Sequence, residues 1–448
     1  MSKPSIPQGT RDFSPSVMAR RNFILETISG IYKNYGFMPL ETPAMENLST
    51  LTGKYGNEGD QLIFKILNNG DFMKEIDPLA IDSKTVLPKI AEKGLRYDLT
   101  VPLARFVVMN RNDISFPFKR YQMQAVWRAD RPQKGRYREF WQCDADVLGT
   151  DSLLCEADFL RIYQSVFEAL GLKGYEVRIN HRKMLEAACE MAGSGDKFKS
   201  ITVIIDKLDK IGTDGVSKEL MELGLNSEQS SILLSFLVKM PLNQTTIQQL
   251  RNSSADNEKA KIALDELEQV IELSGSAIEN VTLDLSLARG LDYYTGCIFE
   301  AVSTDVKMGS ISGGGRYDDL TGVFGLKDVS GIGISFGIDR IYDVLNELNL
   351  FPPNTFKFTE VLFCPFDEES LKYCIPLADE LRQAGIKTEI YPKPVKIKKQ
   401  LDYANSKQIQ WAIIVGEDER KAEKVVIKNL VDGNQQTIDK QLIKNFKH

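Results

Sequence analysis

One stretch constrains the fold more than any other, because residues 116–149 contain two alternating runs joined by a short polar loop. In the first run the apolar positions share one parity: Tyr121, Met123, Ala125 and Trp127. In the second run the apolar set is Trp141, Cys143, Ala145 and Val147, and the alternate set is Phe140, Gln142, Asp144 and Asp146. Side chains on a strand point to opposite faces with a period of two. The pattern therefore predicts an antiparallel hairpin with one apolar and one polar face.

A hairpin of this kind is often only a half-buried sheet with a wet polar face. Here the polar face mixes guanidinium, amide and carboxylate groups with Phe140, and a purine ring is a natural partner for an aromatic side chain in that setting. The loop contains one acidic residue, Asp130. Its five basic residues are Arg128, Arg131, Lys134, Arg136 and Arg138. The planar fork of arginine suits phosphate. We therefore favour a site for a polyanionic nucleotide and a small zwitterion over a plain wet face.

Local patterns elsewhere predict further elements. Ser14 and Pro15 predict the start of a helix that ends at Gly36, followed by a strand over 37–42. The segment 329–345 predicts a strand and then a helix that begins near residue 339. Its glycine spacing is GxGxxxG inside the strand, which disfavours a dinucleotide-binding fold. The motif GxxxxGK[ST] occurs nowhere in the sequence, which disfavours a P-loop.

The segment LRYDLTVPLAR (95–105) carries Asp98 and Thr100 at the same parity, on a predicted short strand that Pro102 ends. A lone acid on a strand is more often a surface residue than a ligand. RGLDYYTG (289–296) is either a turn with two packing tyrosines or part of a site.

Three segments together resemble the class II aminoacyl-tRNA synthetases, in the form of the histidyl-tRNA synthetases. WRADRPQKGRYREFWQCDADVLG (127–149) resembles motif 2, RGLDYYTG is similar to a histidine-site segment, and residues 329–345 resemble motif 3. The helix, strand and proline of residues 14–43 resemble motif 1, which implies a homodimer. An ordinary amphipathic helix before an edge strand explains residues 14–43 equally well.

The resemblance implies a role for each site residue. The histidine-binding set would be Asp98, Leu99, Thr100, Arg128, Gln142, Asp146, Arg289, Tyr293 and Tyr294, with an acid and Thr100 on the α-ammonium group and Asp146 with Tyr294 on the imidazole. The ATP-binding set would be Arg128, Arg136, Phe140 and Arg340, with Phe140 and Arg340 on either side of the adenine. Arg128 and Arg289 would be catalytic, reaching the α-phosphate from different strands. The tRNA-binding set would be Arg131, Gln133 and Lys134. Many bacterial members carry Glu where this chain has Asp98.

Composition limits the alternatives. The six cysteines form no CxxC pair, so we expect reduced thiols. The chain has only two histidines, His181 and His448, so we expect neither a histidine zinc site nor a histidine-dependent triad. No metal ligands are predicted, and Mg²⁺ would arrive with ATP. The start lacks an apolar signal core and no run reaches about 18 apolar residues, so we expect a cytoplasmic protein without a membrane partner. At a net charge of −6, nucleic-acid contact requires local basic patches.

The predicted architecture is an α+β catalytic domain on an antiparallel sheet over 1–350, with a helical insertion at about 196–278. The insertion would rest on a nucleic-acid acceptor arm or act as a lid. After a linker at 349–354, alternating strands and helices predict an α/β domain over 355–448, which resembles the family's anticodon-binding domain.

The implied function is a ligase that activates L-histidine with ATP and charges tRNA(His). Two other functions compete with it. A histidine-binding regulator derived from such an enzyme would have lost the loop cations, Arg289 or the C-terminal domain, and all three are present. A class II enzyme for another amino acid is opposed by Gln142, Asp146 and the segment RGLDYY.

Overall fold

The computed structural model describes residues 3–53, 56–74, 76, 82–254, 257–289 and 294–445. The chain forms two compact units, Met1–Phe351 and Pro352–His448. Within the described ranges, none of the helices combines the length and the apolar character needed to cross a bilayer. All six cysteines are free and buried, in agreement with the predicted reduced thiols.

The strands of the first unit are Met38–Pro39 (β1), Met45–Asn47 (β2), Lys65–Ile66 (β3), Lys93–Leu95 (β4), Phe118–Trp127 (β5), Glu139–Leu148 (β6), Tyr175–His181 (β7), Lys239–Pro241 (β8), Val281–Asp284 (β9), Cys297–Ser303 (β10), Ser312–Tyr317 (β11) and Gly331–Gly337 (β12). The helices are Pro15–Asn34 (α1), Leu48–Leu51 (α2), Gly56–Leu62 (α3), Ser83–Ile90 (α4), Thr100–Met109 (α5), Leu154–Ala169 (α6), Arg182–Met191 (α7), Phe198–Ile205 (α8), Leu208–Glu222 (α9), Ser227–Phe236 (α10), Gln244–Ser253 (α11), Glu258–Ser274 (α12) and Ile338–Glu347 (α13). Short 3-10 turns cover Gly195–Lys197, Gly275–Ile278 and Thr321–Phe324.

In the described part of this unit, nine strands form one sheet in the order β1-β5-β6-β12-β11-β10-β7-β9-β8. Neighbours are antiparallel except β1 with β5 and β7 with β9, which are parallel. The strands β2, β4 and β3 form a separate small sheet. β5 and β6 are the predicted hairpin, paired from Phe118 with Leu148 to Trp127 with Glu139. The mainly antiparallel sheet agrees with the predicted catalytic domain.

The hairpin is buried on both faces at the end away from its loop. The apolar face joins the main core through Cys143 and Ala145, which are 0% exposed. On the polar face Arg120 is 0% exposed and Asp146 is 3% exposed, whereas Phe140 and Gln142, nearer the loop, are half-buried. The buried polar side chains must satisfy one another or a ligand.

Helix α1 covers the apolar face of the hairpin. Ser14 caps its N-terminus by accepting a hydrogen bond from the backbone of Val17, and Pro15 occupies the first turn, as predicted. Ile24, Ile28 and Tyr32 recur at helical spacing and are fully buried. The strand after α1 is shorter than the predicted 37–42, since only Met38 and Pro39 are in register with β5 and Leu40 adds one further backbone hydrogen bond, to the carbonyl of Tyr121.

The prediction of a strand around Asp98 and Thr100 is wrong. β4 ends at Leu95, and Thr100 is the first residue of helix α5. Pro102 lies in the first turn of that helix, where its missing N–H costs nothing. Asp98 instead caps the helix, since its Oδ1 accepts a hydrogen bond from the backbone N–H of Val101 at 3.1 Å.

The predicted insertion is helical, as expected, but its helices enter two different cores. Side chains of α11 and α12, such as Leu250 and Leu264, belong to the main core with α6. A second core contains Ile201 of α8, Leu220 of α9 and Leu233 of α10. The part that packs separately therefore spans α8 to α10, and α12 supports the main sheet through α6 and α7.

The second unit contains the strands Val361–Pro365 (β13), Thr388–Ile390 (β14), Trp411–Val415 (β15), Lys424–Asn429 (β16) and Gln435–Asp439 (β17), and the helices Glu368–Gln383 (α14), Ile397–Ser406 (α15) and Glu417–Lys421 (α16), with 3-10 turns at Pro353–Phe356 and Lys440–Asn445. Its sheet has the order β14-β13-β15-β16-β17, and β13 is parallel to both of its neighbours. All five residues of β13 are buried, since cores lie on both faces of this strand.

Candidate active site

A cavity of about 650 Å³ opens over the polar face of the hairpin. Alternate side chains of β6 line it: Phe140, Gln142, Asp144 and Asp146. Further lining residues come from β11, β12 and α13, among them Ser312, Gly313, Gly314, Ser335 and Arg340. The polar set that the alternation placed on one face is therefore the floor of a cavity.

Glycines let neighbouring strands approach this floor closely. A Cβ on Gly333 would lie 2.0 Å from Oδ1 of Asp146. A Cβ on Gly315 would lie 2.8 Å from the ring of Tyr294. Any larger residue at either position would displace a side chain that lines the cavity.

One end of the cavity is strongly cationic. Burial lowers the pKa of Arg340, and three neighbouring guanidinium groups add to this effect: Arg289, Arg136 and Arg128. Each of the four has a protein contact that fixes it. Arg289 Nε pairs with Glu300 at 2.7 Å, and Arg136 Nη2 pairs with Asp130 at 2.9 Å. Such mutually repelling cations in one cavity indicate a polyanionic ligand.

Backbone carbonyls and rings orient two of these arginines. Arg340 donates from Nε to the carbonyl of Gly135 at 2.9 Å and from Nη1 to that of Ser310 at 2.7 Å. Arg128 donates from Nε to the carbonyl of Tyr97 at 3.1 Å. Its guanidinium carbon lies 5.2 Å from the centre of the Phe140 ring, so this ring and the cation form one surface.

The other end is acidic and deeply buried. Asp146 receives a hydrogen bond from the hydroxyl of Tyr317 at 2.5 Å on Oδ1, and Arg120 Nη2 lies 2.8 Å from Oδ2. Burial raises the pKa of Asp146, and Arg120 opposes that rise. Burial also raises the pKa of Asp144 to about 7, where Arg120 lowers it and Asp146 raises it further. Asp98 lines the same cavity. This end is suited to a cation or to hydrogen-bond donors.

Comparison with known proteins identifies the family. A family model described as histidyl-tRNA synthetase matches residues 90–341, more than half of the 448 residues. The chain belongs to the histidyl-tRNA synthetase family. A second family model, described as an anticodon binding domain, matches residues 360–446 of the second unit.

Individual relatives agree over the whole length. The chain is 54% identical over 440 residues to the histidine–tRNA ligase of Cytophaga hutchinsonii, with 97% of each chain covered. It is 50% identical over 442 residues to that of Phocaeicola vulgatus, with 98% of this chain and 97% of the relative covered. The crystal structure of histidyl-tRNA synthetase from Nostoc sp. PCC 7120 matches with a TM-score of 0.83 at 31% identity over 99% of each chain. The predicted family, fold class and enzyme class, a class II aminoacyl-tRNA synthetase, are confirmed.

The structure brings together most residues predicted for a histidyl-tRNA synthetase site. The predicted residues that line the cavity are Asp98, Thr100, Arg128, Gln133, Arg136, Phe140, Gln142, Asp146, Arg289, Tyr294 and Arg340. Leu99 is fully buried and does not line it. Arg131 and Lys134 are exposed and lie outside the lining, with Lys134 paired to Glu347 at 3.2 Å. Tyr293 lies outside the described residues.

Arg289 reaches the cavity from a loop, and the prediction that it approaches from a strand is wrong. β9 ends at Asp284, five residues before Arg289. The chain leaves the sheet early because Asp284 accepts hydrogen bonds from the backbone and hydroxyl of Ser286, which form a turn. Arg289 is consequently half-exposed, while its partner Glu300 is buried on β10.

Several site residues were missed from the sequence: Arg120, Asp144, Tyr317, Asp206 and Lys210. Asp144 shares the parity of Gln142 and Asp146, and that signal could have included it. Asp206 and Lys210 come from the helical region and also line the cavity, so that region reaches the site.

A further missed contact fixes helix α13 against the hairpin. Asp339, beside Arg340, accepts from Arg21 at 2.6 Å and from Arg11, and the backbone N–H of Trp141 donates to it at 3.2 Å. The N-terminal segment with Arg11 therefore positions the helix that carries Arg340.

Proposed function

We propose that this cavity charges tRNA(His) in two steps. ATP and L-histidine give histidyl-adenylate and pyrophosphate, and the histidyl group then passes to the 3′ end of the tRNA with release of AMP. One observation carries the proposal: the four arginines Arg128, Arg136, Arg289 and Arg340 and the carboxyl groups of Asp98, Asp144 and Asp146 line one cavity. ATP and histidine together bring groups that match this lining, because the phosphates are anionic and histidine carries an ammonium group and a ring N–H.

The arginine end suits adenylation because this reaction needs no covalent enzyme nucleophile. The histidine carboxylate attacks the α-phosphorus, and negative charge grows on the phosphoryl oxygens. Arg128 and Arg289 are assigned to that charge, and Arg136 to the outer phosphates. Arg289 would exchange Glu300 for phosphate, a small change since both groups are oxyanions.

The carboxylates of Asp130 and Glu300 beside these arginines are oxygen donors of the kind Mg²⁺ takes. We propose that the ion enters bound to ATP, where it screens phosphate charge.

The adenine is assigned to the space beside Phe140 and Arg340. Two backbone carbonyls hold the plane of the Arg340 guanidinium, and Phe140 is a half-buried ring on the same cavity wall. A planar base between them gains stacking and a cation–π contact.

The histidine is assigned to the acidic end. Asp98 and Thr100, with the Leu99 backbone between them, would bind the α-ammonium group. Gln142, Asp146, Tyr294 and Tyr293 would surround the ring. Arg128 and Arg289 would then bind the carboxylate of the histidine substrate.

The tRNA is assigned to the hairpin loop and the second unit. Arg131, Gln133 and Lys134 lie at the loop tip, where Gln133 and Arg136 exchange backbone hydrogen bonds at 2.9 and 3.0 Å. The match of residues 360–446 to an anticodon binding domain supports contact of this unit with tRNA. We propose a homodimer through the motif 1 elements α1 and β1. The cytoplasmic location stays a prediction.

A single-turnover experiment tests the proposal. The protein mixed with ATP and histidine should form histidyl-adenylate without tRNA, and addition of tRNA(His) should then convert it to histidyl-tRNA and AMP. A protein that binds histidine without making the adenylate would be the regulator considered above, and the proposal would be wrong.

A further inference from the structure

The start of the chain packs against the hairpin loop. The backbone N–H of Arg138 donates to the carbonyl of Gly9 at 2.9 Å, and Nη1 of Arg138 donates to the carbonyl of Gln8 at 3.4 Å. Glycine permits this close approach, because the φ of Gly9 is +85° and a Cβ there would lie 2.8 Å from Cγ of Arg138. Residues 7–11 therefore lie directly against the loop that carries Arg136.

Arg11 joins this loop to helix α13. Its guanidinium carbon lies 3.2 Å from the centre of the Tyr137 ring, and its Nη2 donates to Oδ1 of Asp339. The face of an aromatic ring attracts a cation in this position. Tyr137 and Asp339 both line the cavity, and each is the sequence neighbour of an arginine assigned to ATP. Arg11 itself does not line the cavity, so it acts from behind the wall.

Helix α13 has other anchors besides Arg11. The carboxylate of Asp339 also accepts a hydrogen bond from Nη1 of Arg21 at 2.6 Å and one from the backbone N–H of Trp141 at 3.2 Å. Arg21 belongs to α1 and is 3% exposed, so this ion pair is buried. Removal of Arg11 therefore leaves α13 in place and takes away the contact with Tyr137 in the loop.

The loop needs such a contact because it brings positive charge towards α13. Arg136 adds to the lowering of the pKa of Arg340, because the two guanidinium groups repel each other. The ion pair of Arg136 with Asp130 stays within the loop, so it does not tie the loop to α13. Until a nucleotide neutralises the cavity, this repulsion pushes the loop away from the helix.

Two other contacts join the loop to α13, but they differ in kind. Arg340 donates to the carbonyl of Gly135 at 2.9 Å, and this arginine carries one of the repelling charges. Lys134 pairs with Glu347 at 3.2 Å, and both side chains are exposed, where an ion pair contributes little. The contact of Arg11 is partly buried and uses no group that is assigned to ATP or tRNA.

We propose that Arg11 is a positioning residue for ATP. Held between Tyr137 and Asp339, it keeps the loop and Arg136 against α13 before ATP binds. The inference rests on the proposed function, because Arg136 must bind the outer phosphates. A loop that is already in place loses less conformational freedom when the nucleotide binds, so the contact raises the affinity for ATP. Once ATP is bound, its phosphates neutralise the arginines, and Arg11 has little effect on the chemical step.

Pyrophosphate exchange at saturating histidine is the first test. Arg11→Ala should raise KM for ATP about 5- to 30-fold, the scale of a cation–π contact that is partly shielded from water. A general structural defect would also change kcat or KM for histidine, and both should stay within about twofold. An unchanged KM for ATP in the folded variant, or a loss confined to kcat, would overturn the inference. Arg11→Gln should give the same result and carries the test if Arg11→Ala does not fold, since its amide still donates to Asp339.

Trypsin reports the position of the loop without a catalytic readout. The loop offers cleavage sites after Lys134 and Arg136. Without ATP, Arg11→Ala should be cut there at least about fivefold faster than the wild type, because a loop released from α13 opens more often. Addition of ATP should restore most of the protection. Equal cleavage of the two proteins without ATP would contradict the proposal.

Arg20→Ala is the matched control. Arg20 joins α1 to α13 by donating to Asn346, and its guanidinium carbon lies 5.1 Å from the centre of the Phe351 ring. It therefore makes the same two kinds of contact as Arg11, but neither partner lies in the loop. Its KM for ATP and its loop cleavage should equal those of the wild type.

A double variant tests the assigned partner. In a Tyr137→Leu background, Arg11→Ala should change KM for ATP by less than about twofold, since the ring on which Arg11 acts is absent. The full effect in that background would contradict the proposal. If the wild type fails to activate histidine, the proposed function is wrong. If it activates histidine and the Arg11 variants match Arg20→Ala in both assays, only this inference is wrong.

Discussion

Replacing Asp144 by asparagine should stabilise the ligand-free protein at pH 8. Burial raises the pKa of this carboxyl from 3.8 to about 7. The folded protein therefore keeps the proton as the pH rises, while the unfolded chain releases it. Wild-type stability falls with rising pH between about 4 and 7, and the whole loss is present above about 7. Asparagine resembles the neutral acid and avoids that loss.

The pKa sets the size of the effect. A difference of roughly three pKa units at 1.36 kcal/mol each gives about 4 kcal/mol at pH 8, and about 2 kcal/mol at pH 5. The first unit spans Met1–Phe351. At about 2.1 cal/mol/K per residue its unfolding entropy is roughly 0.7 kcal/mol/K, so Tm should rise by about 5 °C at pH 8 and by about 3 °C at pH 5.

Thermal unfolding of wild type and Asp144→Asn between pH 5 and 8 measures this directly. The exposed Asp113 supplies the control, and Asp113→Asn should follow the wild type at every pH. The reasoning fails if Asp144→Asn is no more stable than wild type at pH 8, or if the gain does not grow with pH.

Three further predictions follow from the same contacts. Arg289→Ala should slow adenylate formation by two to three decades, about 3–4 kcal/mol, with little change in ATP binding, and near-normal pyrophosphate exchange would remove Arg289 from the mechanism. Gln133→Ala should impair transfer to tRNA and spare adenylation, whereas equal losses in both steps would place Gln133 in the adenylation site. Asp146→Asn should weaken histidine use by about 1.5–3 kcal/mol and leave ATP affinity unchanged. Unchanged histidine kinetics in this variant would exclude Asp146 from the ring site.

The sequence predicts the floor of the site well because strand alternation is a local property. Parity alone places Phe140, Gln142 and Asp146 on one face, and all three line the cavity. Parity does not fix the hairpin register, since a slip of two residues keeps every side chain on its face. The pair between Arg120 and Asp146 depends on that register, so it could not be predicted from alternation.

Other features could not be predicted, for different physical reasons. Pro102 is compatible with a strand end and with a first helical turn, and only the packing of α5 decides between them. The contact of Arg11 with Asp339 joins residues more than 300 positions apart, and no local pattern reports it.

Pyrophosphate exchange with each of the twenty amino acids tests the central claim most directly. With ATP and Mg²⁺ present, L-histidine should support rapid exchange, and every other amino acid should be at least about 10⁴-fold less effective, because a pocket built on hydrogen bonds rejects side chains that cannot make them. Exchange supported by another amino acid, or no exchange with histidine, would contradict the assignment of the acidic end of this cavity to the histidine ring.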